Sequence, residues 1–233
     1  MQIHDLTREP PQIHDQHGDQ RYSAAYRIED AVLAFLDAAL IPAMQTIETG
    51  AGTSTVAFAI KQTQHTCIVP SSDQIARIRA YCAQHAIATA QIRFIPAPSQ
   101  QVLPHLPPAT FQLALIDGNH GFPSMFVDFY YVARALALDG LLIVDDLYIW
   151  TCAGLAEFLE TSPAWHVELK TSRTLIVRKR AHGSEDGEWV DQPFVTRQSR
   201  ATSRPASINY ALGLLWRGEF TLFRENMASR LRR

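Results

Sequence analysis

Cysteine is scarce: Cys67, Cys82 and Cys152 are the only three in 233 residues. They form no CxxC pair, which argues against a disulfide scaffold or a zinc finger and for a reducing compartment. A basic surplus is also missing. The net charge is -2 with a pI near 6.5, whereas a dedicated nucleic-acid binder usually carries excess positive charge. Long hydrophobic runs are absent too. The most apolar window, 31–44, is interrupted by Asp37 and Pro42, and a membrane helix needs about 20 apolar residues. The first 21 residues are polar, with Pro10 and Pro11 adjacent, and lack the apolar stretch of a signal peptide. These absences predict a soluble, cytoplasmic protein with no nucleic-acid or membrane partner.

What is there is an ordinary globular balance, 47% hydrophobic and 19% charged, enough to build a packed core. The length suits one domain with extensions. Residues 178–233 hold 11 basic and 6 acidic side chains. Such a basic tail either meets an acidic partner or is simply a solvated surface.

Residues 1–22 read as a flexible arm. Its His4, Asp5, His14, Asp15 and His17 match no metal-site spacing. From Tyr26, the recurrence of Ile28, Val32, Phe35, Leu36 and Leu40 at three- and four-residue steps predicts a helix ending near Pro42. Short apolar runs then alternate with helical stretches. Strands are expected at 44–48, 65–69, 91–95, 111–116 and 141–144, and helices at 53–61, 73–85, 125–137 and 148–160. Near-continuous apolar strands separated by helices mean an α/β domain whose parallel sheet is covered on both faces. Runs at 165–170 and 174–178 are joined too closely for a parallel crossover, so they should form an antiparallel hairpin. Residues 181–206 read as a polar linker. Residues 208–231 regain an apolar helical stripe through Ile208, Leu212, Leu215, Trp216, Phe220, Phe223, Met227 and Leu231, which should pack on the main domain or on a second copy.

Three motifs carry chemistry. Glu48-Thr49-Gly50-Ala51-Gly52-Thr53-Ser54 follows a strand and opens a helix, the context of a nucleotide-binding glycine loop. Its glycines allow a sharp turn and close approach of a ligand. The acid Glu48 suits an ammonium or hydroxyl donor better than a pyrophosphate, or else it accepts from nearby loop amides. The second motif is Ile116-Asp117-Gly118-Asn119-His120-Gly121-Phe122-Pro123, at the end of a buried strand. The third is Asp139-Gly140-Leu141-Leu142-Ile143-Val144-Asp145-Asp146, another apolar strand ending in two acids. Strand ends lie about 4.8 Å apart in a sheet, so Asp117, Asp145 and Asp146 can converge. Clustered carboxylates repel unless a cation joins them, and oxygen ligands favour Mg²⁺, Ca²⁺ or Mn²⁺. The double acid is equally suited to capping the helix that follows.

In this order and spacing the three motifs resemble the class I S-adenosylmethionine-dependent methyltransferases. Within them the chain is most similar to the small-molecule O-methyltransferase branch related to the macrolide-sugar methyltransferases. The resemblance covers about residues 26–180. It implies a Rossmann-like, doubly wound seven-stranded sheet of order 3-2-1-4-5-7-6 with strand 7 antiparallel. It also implies that Glu48, Gly50, Gly52, Thr53 and Ser54 hold the cofactor, with Asp117 and His120 beside it. Asp117, Asp145 and Asp146 would hold Mg²⁺ next to an acceptor hydroxyl. The usual ribose-binding acid at the end of the second strand is missing; Ser71 or Asp73 would substitute, though Asp73 is also a good helix cap. Asn119 stands where some relatives have a basic carboxylate, which makes His120, with Asp117, the catalytic candidate. The expected organisation is an arm at 1–22, a methyltransferase domain at 23–180, and a linker with an amphipathic helix at 181–233. A homo-oligomer would form through that helix. The alternative is a binding or scaffold protein that keeps this fold without turnover.

Overall fold

A computed structural model of the chain describes residues 1–13 and 28–231. His14, Asp15, His17 and Tyr26, the expected start of the first long helix, lie outside the described residues. Two units are distinguished, Met1–Asp186 and Gly187–Arg233.

The first unit is built on a seven-stranded sheet. Its strands are β1 (Gln45–Thr49), β2 (Gln64–Ile68), β3 (Ile92–Ile95), β4 (Phe111–Ile116), β5 (Leu136–Val144), β6 (Trp165–Lys170) and β7 (Leu175–Lys179). They run in the order β3-β2-β1-β4-β5-β7-β6. All pairings are parallel except those of β7, which is antiparallel to β5 and β6. The expected topology and closing hairpin are therefore present.

Alternation along each strand feeds two cores. Leu113 and Leu115 of β4 face one side, with helices α2 (Asp30–Ala39), α3 (Thr53–Ile60) and α4 (Ser72–Gln84), which present Leu36, Phe58 and Ile78. Ala114 and Ile116 face the other side, with α6 (Ser124–Ala135) and α7 (Trp150–Thr161), which present Phe129 and Leu155. A short α5 (Ser99–Val102) sits between β3 and β4. Lys179 is buried because its ammonium donates to Ala133 O at 2.5 Å and Leu136 O at 3.3 Å, carbonyls left open at the end of α6.

Two expectations need correction. Residues 1–13 are not a loose arm: Asp5–Arg8 form α1, and Ile3, Leu6 and Ile13 are buried in the core beside α2–α4. Arg77 of α4 fastens this segment, its Nε donating to Ile13 O at 2.6 Å. Three apolar side chains outweighed a polar average composition. In the second unit, the expected linker at 181–206 is helical from Pro193: α8 spans Pro193–Trp216 and α9 Phe220–Leu231. Proline at the first turn suits a helix start, since its missing N–H would have no partner there. The single expected helix is split after Trp216 by Gly218, which has φ +73°. Trp216 is 93% exposed, and Phe220 and Leu222 are exposed as well. Among the described residues, no helix is long and apolar enough to cross a membrane.

Candidate active site

Register assembles the site. Thr49 pairs with Ile116, and Ile116 with Val144, so Gly50, Asp117 and Asp145 leave the sheet side by side. Val144 in turn pairs with Leu175 of the antiparallel β7, which sets the β6–β7 turn, Thr171–Thr174, against the double acid. A cleft of about 360 Å³ opens at this edge, where parallel sheets commonly bind ligands.

One end of the cleft is mostly backbone and neutral side chains: Thr49, Gly50 and Ala51 after β1, Val69, Pro70 and Gln74 after β2, and Pro98, Ser99 and Gln100 after β3. Gly50 has φ +89°, and a Cβ there would lie 2.0 Å from Asp117 O. Its freedom thus serves the close approach of two loops of the chain itself. Gly52 is an extended residue at the start of α3, its N–H donating to Thr55 Oγ1 at 3.0 Å. Thr49, beside the cleft, is buried with its hydroxyl toward the Asp128 carboxylate, whose proton affinity burial raises and this hydroxyl lowers. Ser99 donates to Asp128 Oδ1 at 2.6 Å from the floor.

Several expected cofactor residues are placed elsewhere. Glu48 is 1% exposed and turned behind the loop, where its carboxylate accepts from Ser54 Oγ at 2.7 Å and from Thr55 Oγ1. Thr53 and Ser54 are buried with it. Ser71 caps α4, accepting from Gln74 N at 3.2 Å, while Asp73 is exposed in the first turn. In the cleft, the side chain that reaches the glycine loop from the start of α4 is Gln74, whose Nε2 donates to Ala51 O at 2.5 Å.

The other end of the cleft is ionic. His120 Nε2 lies 3.5 Å from Asp117 Oδ1 and 3.3 Å from Asp146 Oδ2. Its Nδ1 is 3.3 Å from Cys152 Sγ, and its carbonyl accepts from Thr151 Oγ1. Arg173 Nη2 closes on Asp146 Oδ1 at 3.0 Å and stands 5.5 Å above the Tyr148 ring. Burial works against the charged imidazole, but the Asp117 and Asp146 carboxylates outweigh it and push His120 up to about 12. Burial, with Asp145 and Asp146 nearby, raises Asp117 to about 7 against the pull of His120. Burial also opposes charge on Asp146, yet His120 and Arg173 hold it below the usual carboxylate range. Asp145 is raised by burial; it accepts from Thr174 Oγ1 at 2.5 Å.

The expected metal trio is therefore not what converges. Asp145 faces Thr174, and at this end of the cleft the donor atoms within 4.8 Å of one another belong to Asp117, His120 and Asp146; a second such set, Glu48, His65 and Cys67, is buried behind the glycine loop. The repulsion among the acids is met by two cations of the chain, His120 and Arg173. Neither role for the double acid as a helix cap holds, because α7 has no side-chain cap. Asn119 Oδ1 accepts from Gly121 N at 2.9 Å, shaping the loop. Sequence reasoning missed Arg173, Thr174 and Gln74. An arginine in a hairpin turn carries no pattern of its own; only the β5–β7 register marks it.

A family model described as a methyltransferase domain matches residues 47–147. No curated protein matches the chain by sequence. Among solved structures, the cofactor-bound protein Rv0187 from MTB is 16% identical with a TM-score of 0.52, covering 72% of this chain and 94% of its own. An rRNA methylase from Streptococcus thermophilus is 9% identical with a TM-score of 0.51, covering 66% of this chain and 99% of its own. SMU.1697c from Streptococcus mutans, in complex with SAH, is 11% identical with a TM-score of 0.50, covering 66% and 99%. The match over 47–147 and the sheet order around it agree in fold: the chain has a seven-stranded Rossmann-like sheet whose central part is similar to a methyltransferase domain.

Proposed function

We propose that the chain is an S-adenosylmethionine-dependent methyltransferase that methylates a hydroxyl of a small molecule. The observation that carries this reading is the ionic centre of Asp117, His120 and Asp146 directly beside the Gly50–Ala51 loop. Cofactor-bound and SAH-bound structures of similar fold support the cofactor.

When bound, the cofactor supplies an electrophilic methyl group on a sulfonium sulfur. The backbone of Gly50 and Ala51 would hold its amino-acid end. Gln74 takes the place of the missing acid at the ribose, and Pro98–Gln100 border the base. Asp117 would receive the proton of the acceptor hydroxyl on transfer of the methyl group. Asp117 suits that task because it titrates near neutrality. His120, held protonated, cannot take a proton; it fixes Asp117 and Asp146 and balances their charge. This reverses the role expected for His120 and leaves Asp117 as the base.

A divalent ion such as Mg²⁺ would find ligands in Asp117 and Asp146, with His120 giving up its proton to join them. That set is poorer in oxygen than Mg²⁺ prefers. His120 and Arg173 already supply the compensating charge, so we take the reaction to run without the ion. The buried, unpaired cysteines support a reducing, cytoplasmic setting. Self-association would run through the exposed Trp216, Phe220 and Leu222 of the second unit.

The test is SAH release by the full chain with a panel of hydroxylated small molecules. The rate should fall about tenfold per pH unit below about 7, where Asp117 is protonated, and level off above it. It should persist in excess chelator. Loss under chelation, restored by Mg²⁺, would return the ion to Asp117 and Asp146. Absence of SAH binding in calorimetry would leave the scaffold alternative.

A further inference from the structure

Behind the glycine loop lies a second polar cluster that the reaction does not use. His65 on β2 is fully buried, its ring stacked on Phe58 at 4.1 Å and 15°. The directions of the hydrogen bonds around it can be worked out. Thr63 Oγ1 donates to Phe58 O at 3.3 Å, and Thr46 Oγ1 donates to Thr63 Oγ1 at 3.1 Å. Both hydroxyl protons are then spent. His65 Nδ1, 2.9 Å from Thr46 Oγ1, must bring its own hydrogen. That fixes the ring, with Nε2 directed at Glu48 Oε1, 3.1 Å away. Nε2 makes no hydrogen bond, so what joins the ring to Glu48 is close contact in the core.

Glu48 passes the constraint on. Its carboxylate accepts the hydroxyls of Ser54 and Thr55, and Thr55 Oγ1 accepts the Gly52 N–H. From the same strand, Cys67 Sγ reaches Gly50 O at 3.6 Å. Burial and the neighbouring Glu48 keep Cys67 a thiol, hence a donor. Cys67 directly, and His65 through Glu48, bear on the Gly50–Thr55 segment. Burying polar groups costs desolvation that an apolar side chain of the same size avoids, so this cluster gains the core little by itself.

We propose that His65 is a positioning residue for the cofactor loop, acting through Glu48 and Thr55 on the backbone of Gly52. This rests on the reading of Gly50–Ala51 as the cofactor seat. It assigns Glu48 an inward task in place of direct contact with the cofactor.

The experiment uses the full chain and three variants, His65→Gln, Glu48→Gln and the double. SAH affinity is measured by calorimetry, and amide hydrogen exchange is followed over 50–55. Each single variant should weaken SAH about tenfold or more and speed exchange of the loop, at a temperature where circular dichroism shows it folded. The acceptor KM should not change. The double variant should lose no more than the worse single, since coupled residues are not additive. A folded His65→Gln with wild-type affinity and wild-type loop exchange overturns the proposal. Where His65→Gln does not fold, Thr55→Val, which cuts the link from Glu48 to Gly52, carries the same two outcomes. If the wild-type chain does not bind SAH, the cofactor reading fails; the exchange of Gly52–Ser54 then decides the strut by itself.

Discussion

The two ends of the cleft treat charge in opposite ways. At the glycine-loop end, Glu48 and His65 are turned into the core, and what faces the cleft is backbone, Thr49 and Gln74. At the β4–β5 end, Asp117, His120, Asp146 and Arg173 face it together. Backbone groups hold a ligand without changing their charge. A compact set of opposed charges can shift its protons as a reactant enters. The difference assigns binding to one end and chemistry to the other.

The largest expected effect sharpens that division. Asp117→Asn removes the group that titrates near 7 and should lower turnover by about 10²–10⁴-fold, with SAH affinity within a few-fold of wild type. Equal loss of affinity would break the division, because Asp117 would then belong to both ends. A smaller effect tests the junction of the two loops. Gly50→Ala sets a Cβ 2.0 Å from Asp117 O at φ +89°, and should cost about 2–4 kcal/mol of stability by overpacking and strain. Chemical denaturation reads it, and a change below the error of the method would mean the loops yield easily. The smallest effect lies on the binding side but outside the cleft. Ser71→Ala loses the cap on α4 and should cost about 1 kcal/mol, leaving SAH affinity unchanged. A drop in affinity there would bring Ser71 back to the ribose.

Particular residues show what was legible beforehand. Phe111–Ile116 and Trp165–Lys170 read as strands with the bounds observed, because a nearly continuous apolar run in the first and a strict apolar–polar alternation in the second, each between turn residues, admit little else. The convergence of Asp117 with Asp146 followed from adjacent strands, whereas Asp145 turned to Thr174. Ile3, Leu6 and Ile13 were invisible as core because three isolated apolar residues in a polar stretch have no period. Glu48 was misplaced because a strand-end acid can turn to either side of its loop. The direction depended on Ser54, Thr55 and His65.

The strand order was implied by the family resemblance; the sequence by itself determined the strands, the closing hairpin, the glycine turn and the edge at which a ligand would meet the chain. These rest on local periodicity and on backbone rules that act over a few residues. Only the tertiary structure decided which acids are paired, which are buried and which cation each one meets. Arg173 reaches Asp146 from 27 positions away through the β5–β7 register. A carboxyl group takes its proton affinity from whatever packs around it, and that neighbourhood exists only once the chain has folded.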